Sequence, residues 1–325
     1  MKIVYMGTPD FAVGALQALI EAGHQVAAVV TQPDKPKGRG KEMQMTPVKN
    51  CALRYDIPVF QPVKVKAPEA VETLRGYGAD VFVVAAFGQI LSEEILTMPR
   101  YGCINIHASL LPKYRGSAPI QRVILDGEKE TGVTIMQMDR GIDTGDMLLQ
   151  SVVPIAEKET GDSLHDKLAD EGAKLIVEAL RKLEAGELVP RKQNDEESCY
   201  AKMLDKSMGK IDWQQSAVRI ERLVRGLNSW PSAYTSFHGK TLKIWECDVV
   251  SGGQEQKAVS HKIGETLPGT VTAVEKDAFY VQTGEGILKV TQVQLEGKKR
   301  MEVRAFLLGC QMSVGELLGN DERSE

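Results

Sequence analysis

The chain has 325 residues, 42% of them hydrophobic and 26% charged, with a formal net charge of −4. That length exceeds one typical domain, so two are expected, and the composition is ordinary for a soluble globular protein. A net negative charge gives no bulk attraction to nucleic acid, which leaves local basic clusters as the features to weigh. Five cysteines, at positions 51, 103, 199, 247 and 310, form no C-x-x-C pair. Scattered single thiols read as reduced cysteines of a cytoplasmic protein, with neither a disulfide framework nor a zinc site; no metal is expected. No apolar run approaches the roughly 20 residues that span a bilayer. Met1 to Gly7 reads as a first strand and is too short for a signal peptide.

Along the chain, Ile3 to Met6 is a short apolar run, and Thr8-Pro9-Asp10 opens a helix with Pro in its first turn. Phe11, Ala15, Ala18 and Leu19 make its apolar stripe, which ends at Gly23. Gln25 to Thr31 and Val81 to Ala86 are continuous apolar strands, with helical stretches near 46–55 and 67–76 between them. Continuous apolar strands alternating with helices predict a parallel sheet covered on both faces. Val133 to Met138 and Met147 to Val153 are expected to extend it. A long amphipathic helix follows from about Asp162, with Leu164, Leu168, Leu175, Ile176, Ala179 and Leu183 on its buried side.

Residues 186–209 then lose periodicity and become rich in Gly, Pro, Lys, Asp and Glu, the composition of a surface-crossing linker. Beyond them lie a helix near 213–226 and short β segments at Lys243 to Val250, Gly269 to Val274, Phe279 to Thr283 and Ile287 to Val293, with a short helix near Glu302 to Leu308. Short, Gly-punctuated strands predict a small antiparallel barrel. The expected organisation is α/β: a Rossmann-like parallel-sheet domain over 1–189, a linker over 190–209, and an OB-like β-barrel domain over 210–325.

The first turn, Gly7-Thr8-Pro9-Asp10, lacks the G-x-G-x-x-G spacing that lets a pyrophosphate approach a helix N-terminus, and no Walker A sequence occurs, which argues against NAD and ATP. The chemistry concentrates at Cys103 to Pro112. Successive strand residues face opposite ways, so Asn105 and His107 share one face while Ile104 and Ile106 share the other. A carboxamide and an imidazole at the carboxyl end of a strand stand where open α/β sheets place their sites. Asp143, in a glycine-flanked loop, is the third candidate, able to orient the imidazole. Such a trio suits a reaction in which a carbonyl oxygen becomes negative. Asp139, Asp143 and Asp146 lack the alternation of a calcium loop. Lys35, Lys37, Arg39 and Lys41 alternate with Pro and Gly, reading either as a solvated loop or as a basic arm that reaches phosphates. Lys298-Lys299-Arg300 and the helix face of Arg219, Arg222 and Arg225 are weaker basic candidates.

These segments resemble the methionyl-tRNA formyltransferase family almost end to end: Gly7-Thr8-Pro9-Asp10-Phe11, Thr31-Gln32-Pro33-Asp34, Gly38-Arg39-Gly40-Lys41, Asn105-Ile106-His107-Ala108-Ser109-Leu110-Leu111-Pro112, Ala118-Pro119-Ile120-Gln121 and Asp143-Thr144-Gly145-Asp146. The resemblance implies transfer of a formyl group from 10-formyltetrahydrofolate to the α-amino group of initiator methionyl-tRNA, in the service of translation initiation. It implies Asn105, His107 and Asp143 as catalytic residues, and Ser109, Leu110, Leu111 and Pro112 along the folate pocket. Lys37, Arg39 and Lys41 are implied as contacts to the tRNA acceptor end. The glycinamide ribonucleotide type of formyltransferase would need a phosphate-cradling first loop, which Gly7-Thr8-Pro9 does not provide. The remaining expectations are a cytoplasmic monomer that does not bind membranes.

Overall fold

The computed structural model describes residues 1–37, 42–250 and 266–319. Its chain gathers into two compact units, the first made of Met1–Pro119, Lys129–Ile155 and Leu164–Lys202, the second of Ile120–Glu128, Ala156–Ser163 and the chain from Met203 onward.

The first unit runs β1 (Lys2–Gly7), α1 (Phe11–Glu21), β2 (Gln25–Val30), β3 (Lys35–Lys37), β4 (Glu42–Gln44), α2 (Pro47–Arg54), β5 (Val59–Phe60), α3 (Pro68–Gly76), β6 (Val81–Ala85), α4 (Glu93–Leu96), β7 (Cys103–His107) and β8 (Arg115–Gly116). After α5 (Pro119–Asp126) come β9 (Glu130–Gln137), β10 (Met147–Pro154), α6 (Gly161–Glu184) and β11 (Tyr200–Ala201). Its main sheet has the order β10-β9-β7-β6-β1-β2-β5. From β7 to β5 all pairs are parallel, and the strands are mainly apolar, as in a sheet covered on both faces, with Asn105 and His107 of β7 the polar exceptions near its carboxyl end. β9 pairs antiparallel with β7, and β10 antiparallel with β9. The two strands expected to prolong the parallel sheet therefore form a hairpin on its edge.

Two local signals placed the helices. Thr46 caps α2 by accepting the Lys49 N–H at 3.1 Å with Pro47 following it, and Asp162 in the first turn with Arg181 and Lys182 in the last complements the dipole of α6. α6 covers the sheet at Gly172, where a Cβ would stand 2.9 Å from Ile106 Cγ2. The opposite face buries Val4, Met6, Val84, Leu96 and Cys103 in one cluster. Lys35, Pro36 and Lys37, which read as loop, pair with Gln44, Met43 and Glu42 as a small hairpin.

The second unit holds α7 (Ala217–Gly226), β12 (Ala233–Phe237), β13 (Lys240–Val249), β14 (Val271–Val274), β15 (Phe279–Gln282), β16 (Ile287–Leu295), β17 (Met301–Glu302) and α8 (Val303–Gly309). The sheet is antiparallel, ordered β12-β13-β16-β15-β14 with β17 on β16. Its inner face packs Ile220 and Val224 of α7 against Phe237, Leu242, Ile244, Phe279, Leu288 and Val293. Trp213 is buried there because its indole N–H reaches Thr235 Oγ1 at 3.0 Å. Among the described residues no helix is long and apolar enough to cross a membrane.

Candidate active site

β7 is a central strand, and its register sets the site. Asn105 stands beside Val84 of β6, while His107 stands beside Thr134 of β9. Cys103, two residues before Asn105, is buried in the cluster with Val4, Met6 and Val84, and strand alternation puts Asn105 and His107 on that same face. Asn105 is half-buried, and its carboxamide has no protein hydrogen-bond partner among the described residues. Cys103 itself donates to Ile95 O at 3.5 Å, and burial pushes its thiol up to about 12, which removes it as a nucleophile at neutral pH.

His107 is 5% exposed, with both ring nitrogens assigned by their neighbours. Nε2 lies 3.0 Å from the Tyr114 carbonyl. A carbonyl only accepts, so Nε2 carries a proton and Nδ1 is left to face the site. Nδ1 stands 3.6 Å from Asp143 Oδ2, longer than a hydrogen bond and within ion-pair range when the ring is charged. The carboxylate that spacing alone could not tie to His107 is thus its neighbour.

Asp143 lies in the connection between β9 and β10. β9 ends at Gln137 beside Ile104, three residues short of His107, so residues 138–146 fold back along β7 by about 10 Å. The fold-back is tight: Gly145 lacks a Cβ where one would stand 1.9 Å from Gln137 O. Gly116 N donates to Asp143 Oδ2 at 2.8 Å, and Gln193 Nε2 donates to the Asp143 and Gly145 carbonyls at 2.8 and 2.7 Å. The two residues that meet the His107 ring, Tyr114 through its carbonyl and Asp143 through its carboxylate, both adopt left-handed conformations, at φ 59 and φ 54. Of the other loop carboxylates, Asp139 caps the turn, accepting from Gly141 N and Thr144 Oγ1. Among the described residues no group of three His, Cys, Asp or Glu side chains could hold a metal.

Ser109 to Pro112 follow β7 as a compact loop with a cis Leu111–Pro112 bond. Ser109 is buried, its hydroxyl donating to Lys113 O at 2.7 Å; Leu111 is buried against Met136 and Met147; Leu110 and Pro112 are half-buried. Thr134 pins this loop from β9, donating to Ser109 O at 2.7 Å and accepting from Leu111 N at 3.1 Å. Gln150 adds a bond from Nε2 to Leu111 O at 2.9 Å. Beside the Asp143 loop opens a cleft of 620 Å³, lined by Leu96, Gly102, Gln137, Met138, Asp139 and Arg140 among others, a size suited to a small-molecule ligand.

Of the basic arm, Lys37 pairs with Glu42 through the hairpin, while Arg39 and Lys41 lie outside the described residues. The arm springs from a fixed base, where Lys49 Nζ meets Asp34 Oδ2 at 2.5 Å and Gln61 Nε2 donates to Asp34 Oδ1 at 2.7 Å. On the second unit, Arg222 and Arg225 are occupied internally: Arg222 donates to Asp126 O at 3.4 Å, and Arg225 to Glu221 Oε1 and Glu159 O at 2.6 and 2.7 Å. The α7 basic face proposed from the sequence is therefore largely structural. Lys298 and Lys299 remain exposed, and Arg300 lies 4.9 Å over the Trp245 ring. Tyr114, Thr134, Gln150 and Gln193 carried no signal in sequence, because each acts through a backbone group or a contact set by the fold.

Residues 1–180 match the formyl transferase family and residues 203–311 its C-terminal domain. The methionyl-tRNA formyltransferase of Agathobacter rectalis is 55% identical over 97% of this chain and 98% of its own length. That of Alkaliphilus metalliredigens is 50% identical over 99% of both. In three dimensions the chain is similar to WlaRD, a sugar 3N-formyl transferase, with a TM-score of 0.65 at 20% identity over 92% of this chain and 99% of that one. It also aligns with HypX from Aquifex aeolicus in complex with tetrahydrofolic acid, with a TM-score of 0.62 at 18% identity over 95% of this chain and 47% of that one. At such identities the two structures bear on the fold alone. Near-full-length identity across both domains settles the relationship: the chain belongs to the methionyl-tRNA formyltransferase family.

Proposed function

We infer that this protein transfers the formyl group of 10-formyltetrahydrofolate to the α-amino group of methionyl-tRNA, with the initiator as its substrate. The observation that carries the reading is the placement of His107 Nδ1, 3.6 Å from Asp143 and on the same strand face as the Asn105 carboxamide, which has no hydrogen-bond partner among the described residues. The co-substrate supplies a formyl carbon that the amine attacks, so negative charge grows on the formyl oxygen; collapse of the adduct breaks the bond to N10, and tetrahydrofolate leaves with a proton on that nitrogen in place of the one the amine gives up.

Asn105 offers its amide N–H to that oxygen, and His107, as the doubly protonated imidazolium, offers Nδ1–H, since Nε2–H is committed to Tyr114. Each such donor is typically worth about 10²- to 10³-fold in rate. Asp143, held by Gly116 N rather than hydrogen-bonded to the ring, keeps a carboxylate beside the reacting nitrogen. There it stabilises the imidazolium and accepts the amine proton, directly or through a water. The Ser109–Pro112 loop, pinned by Thr134, walls the folate side.

Catalysis is assigned to residues 1–189, with 190–209 as connection and 210–325 as an RNA-binding domain; Lys37, Arg39 and Lys41 reach the acceptor end. A cytoplasmic monomer completes the reading, and size-exclusion chromatography with light scattering checks the monomer. The deciding experiment incubates the protein with labelled 10-formyltetrahydrofolate and methionylated initiator or elongator tRNA. Label should enter methionine on the initiator alone. Absence of transfer to either tRNA overturns the reading, and equal transfer to both overturns the initiator preference.

A further inference from the structure

The stretch from Arg191 to Ala201 reads in sequence as a connector, yet in the first unit it is bonded to the catalytic loops along its length. Arg191 and Met147 exchange backbone bonds of 2.8 and 2.9 Å. Arg115 N donates to Cys199 O at 2.9 Å, Tyr114 N to Cys199 Sγ at 3.2 Å, and β11 pairs parallel with β8. From 191 to 197 every residue is exposed except Gln193.

That one inward residue uses its whole carboxamide. Nε2 donates to Asp143 O and Gly145 O, and Oε1 accepts from Arg115 Nε at 2.9 Å. Arg115 is held in turn by Asp195 at 2.7 Å, and its neighbour Gly116 supplies the N–H that fixes the Asp143 carboxylate. The loop needs such restraint. It folds back about 10 Å from the end of β9, and Asp143 sits in a left-handed conformation that non-glycine residues seldom keep unless their surroundings enforce it.

We propose that Gln193 is a positioning residue for formyl transfer, its carboxamide tying the two carbonyls of the Asp143 loop to Arg115 so that the carboxylate stays against His107 Nδ1. The inference rests on the role given to Asp143 above. Deleting or repelling the Gln193 amide lets the loop drift, and a displacement of about 1 Å at a reacting group costs up to about 10²-fold.

Gln193→Glu keeps the shape and the acceptor for Arg115 but sets a carboxylate oxygen against two carbonyl oxygens; Gln193→Ala removes the link without adding charge. Steady-state kinetics with methionyl initiator tRNA should give both variants a kcat lower by about ten- to a hundredfold, with both KM values within about twofold of the parent. Thermal melts should stay close to the parent. In an Asp143→Asn background, Gln193→Glu should add no further loss. Parental kcat in both Gln193 variants, a loss confined to KM, a collapse of the melting temperature in both, or full multiplication with Asp143→Asn each overturns the inference. A silent Gln193 pair beside an impaired Asp143→Asn sinks it alone. Parental turnover by Asp143→Asn sinks the carboxylate's role first, and this inference with it.

Discussion

His107 and Asn105 leave the same strand face with different freedom. The imidazole is clamped at Nε2 by Tyr114 O, whereas the carboxamide is unpaired among the described residues. Replacing either by Ala should cut kcat about 10²- to 10³-fold in a folded protein, as loss of one donor to a developing oxyanion does; single-turnover formyl transfer measures it. Near-parental turnover by His107→Ala would remove the imidazole from the chemistry. Cys103 is the counter-case on that face. With its thiol held protonated by burial, Cys103→Ala should retain most of the turnover, and in the native protein iodoacetamide should modify the exposed Cys199 and spare Cys103. Peptide mapping after alkylation separates the two.

Strands and loops supply what single residues cannot. Thr134 on β9 serves Ser109 O, Leu111 N and Gln150 Nε2 with one hydroxyl. Thr134→Val keeps the shape and strands a buried carbonyl and N–H, at about 1–3 kcal/mol for each group left bare; urea unfolding should show the loss, and turnover should fall with the loosened loop. At the root of the basic arm, the hydrogen bond from Lys49, then that from Gln61, holds the Asp34 carboxyl below its ordinary range. A carboxylate lowered by folding contributes stability that is complete above its unfolded value of about 3.9 and fades as the pH falls from there through the lowered one. Asp34→Asn should therefore melt lower than the parent at pH 7, with the gap narrowing as the pH falls below the ordinary carboxylate range, as thermal denaturation across pH would record.

The elements also explain what could be read without coordinates. Apolar runs such as Val81–Ala85 and the stripe of α6 declare themselves, and β7 with its Asn105/His107 alternation is legible because side-chain facing has a period of two. Strand direction is not legible: the apolar cores of 130–137 and 147–154, such as 133–136 and 147–149, read like parallel strands, and their antiparallel pairing depends on the fold-back between them. The pairing of 35–37 with 42–44 has no apolar face to reveal it, and β12 hides because its middle inward residue is Thr235, which accepts a hydrogen bond from Trp213, far away in sequence. Tyr114 contributes a carbonyl, which any residue possesses.

On the scale of the whole molecule, a chain of net charge −4 cannot draw RNA by its total charge, so affinity has to come from concentrated patches. In the second unit Lys243 and Arg300 stand 5.6 and 4.9 Å from the Trp245 ring, a cation–aromatic arrangement suited to a nucleic-acid backbone and its bases. If residues 35–41 touch phosphates, Arg39→Ala should weaken tRNA binding at low salt and flatten the plot of log affinity against log salt by about one ion. Filter binding across a salt series reads both quantities, and an unchanged slope would take the arm out of the interface. The positive φ at Asp143 has a practical consequence for dissecting that residue. Asn tolerates the left-handed basin nearly as well as Asp, whereas Ala there carries a penalty of roughly 1–2 kcal/mol unconnected with charge. An alanine scan would consequently conflate backbone relaxation with lost ionisation, and the amide swap is the replacement that separates them.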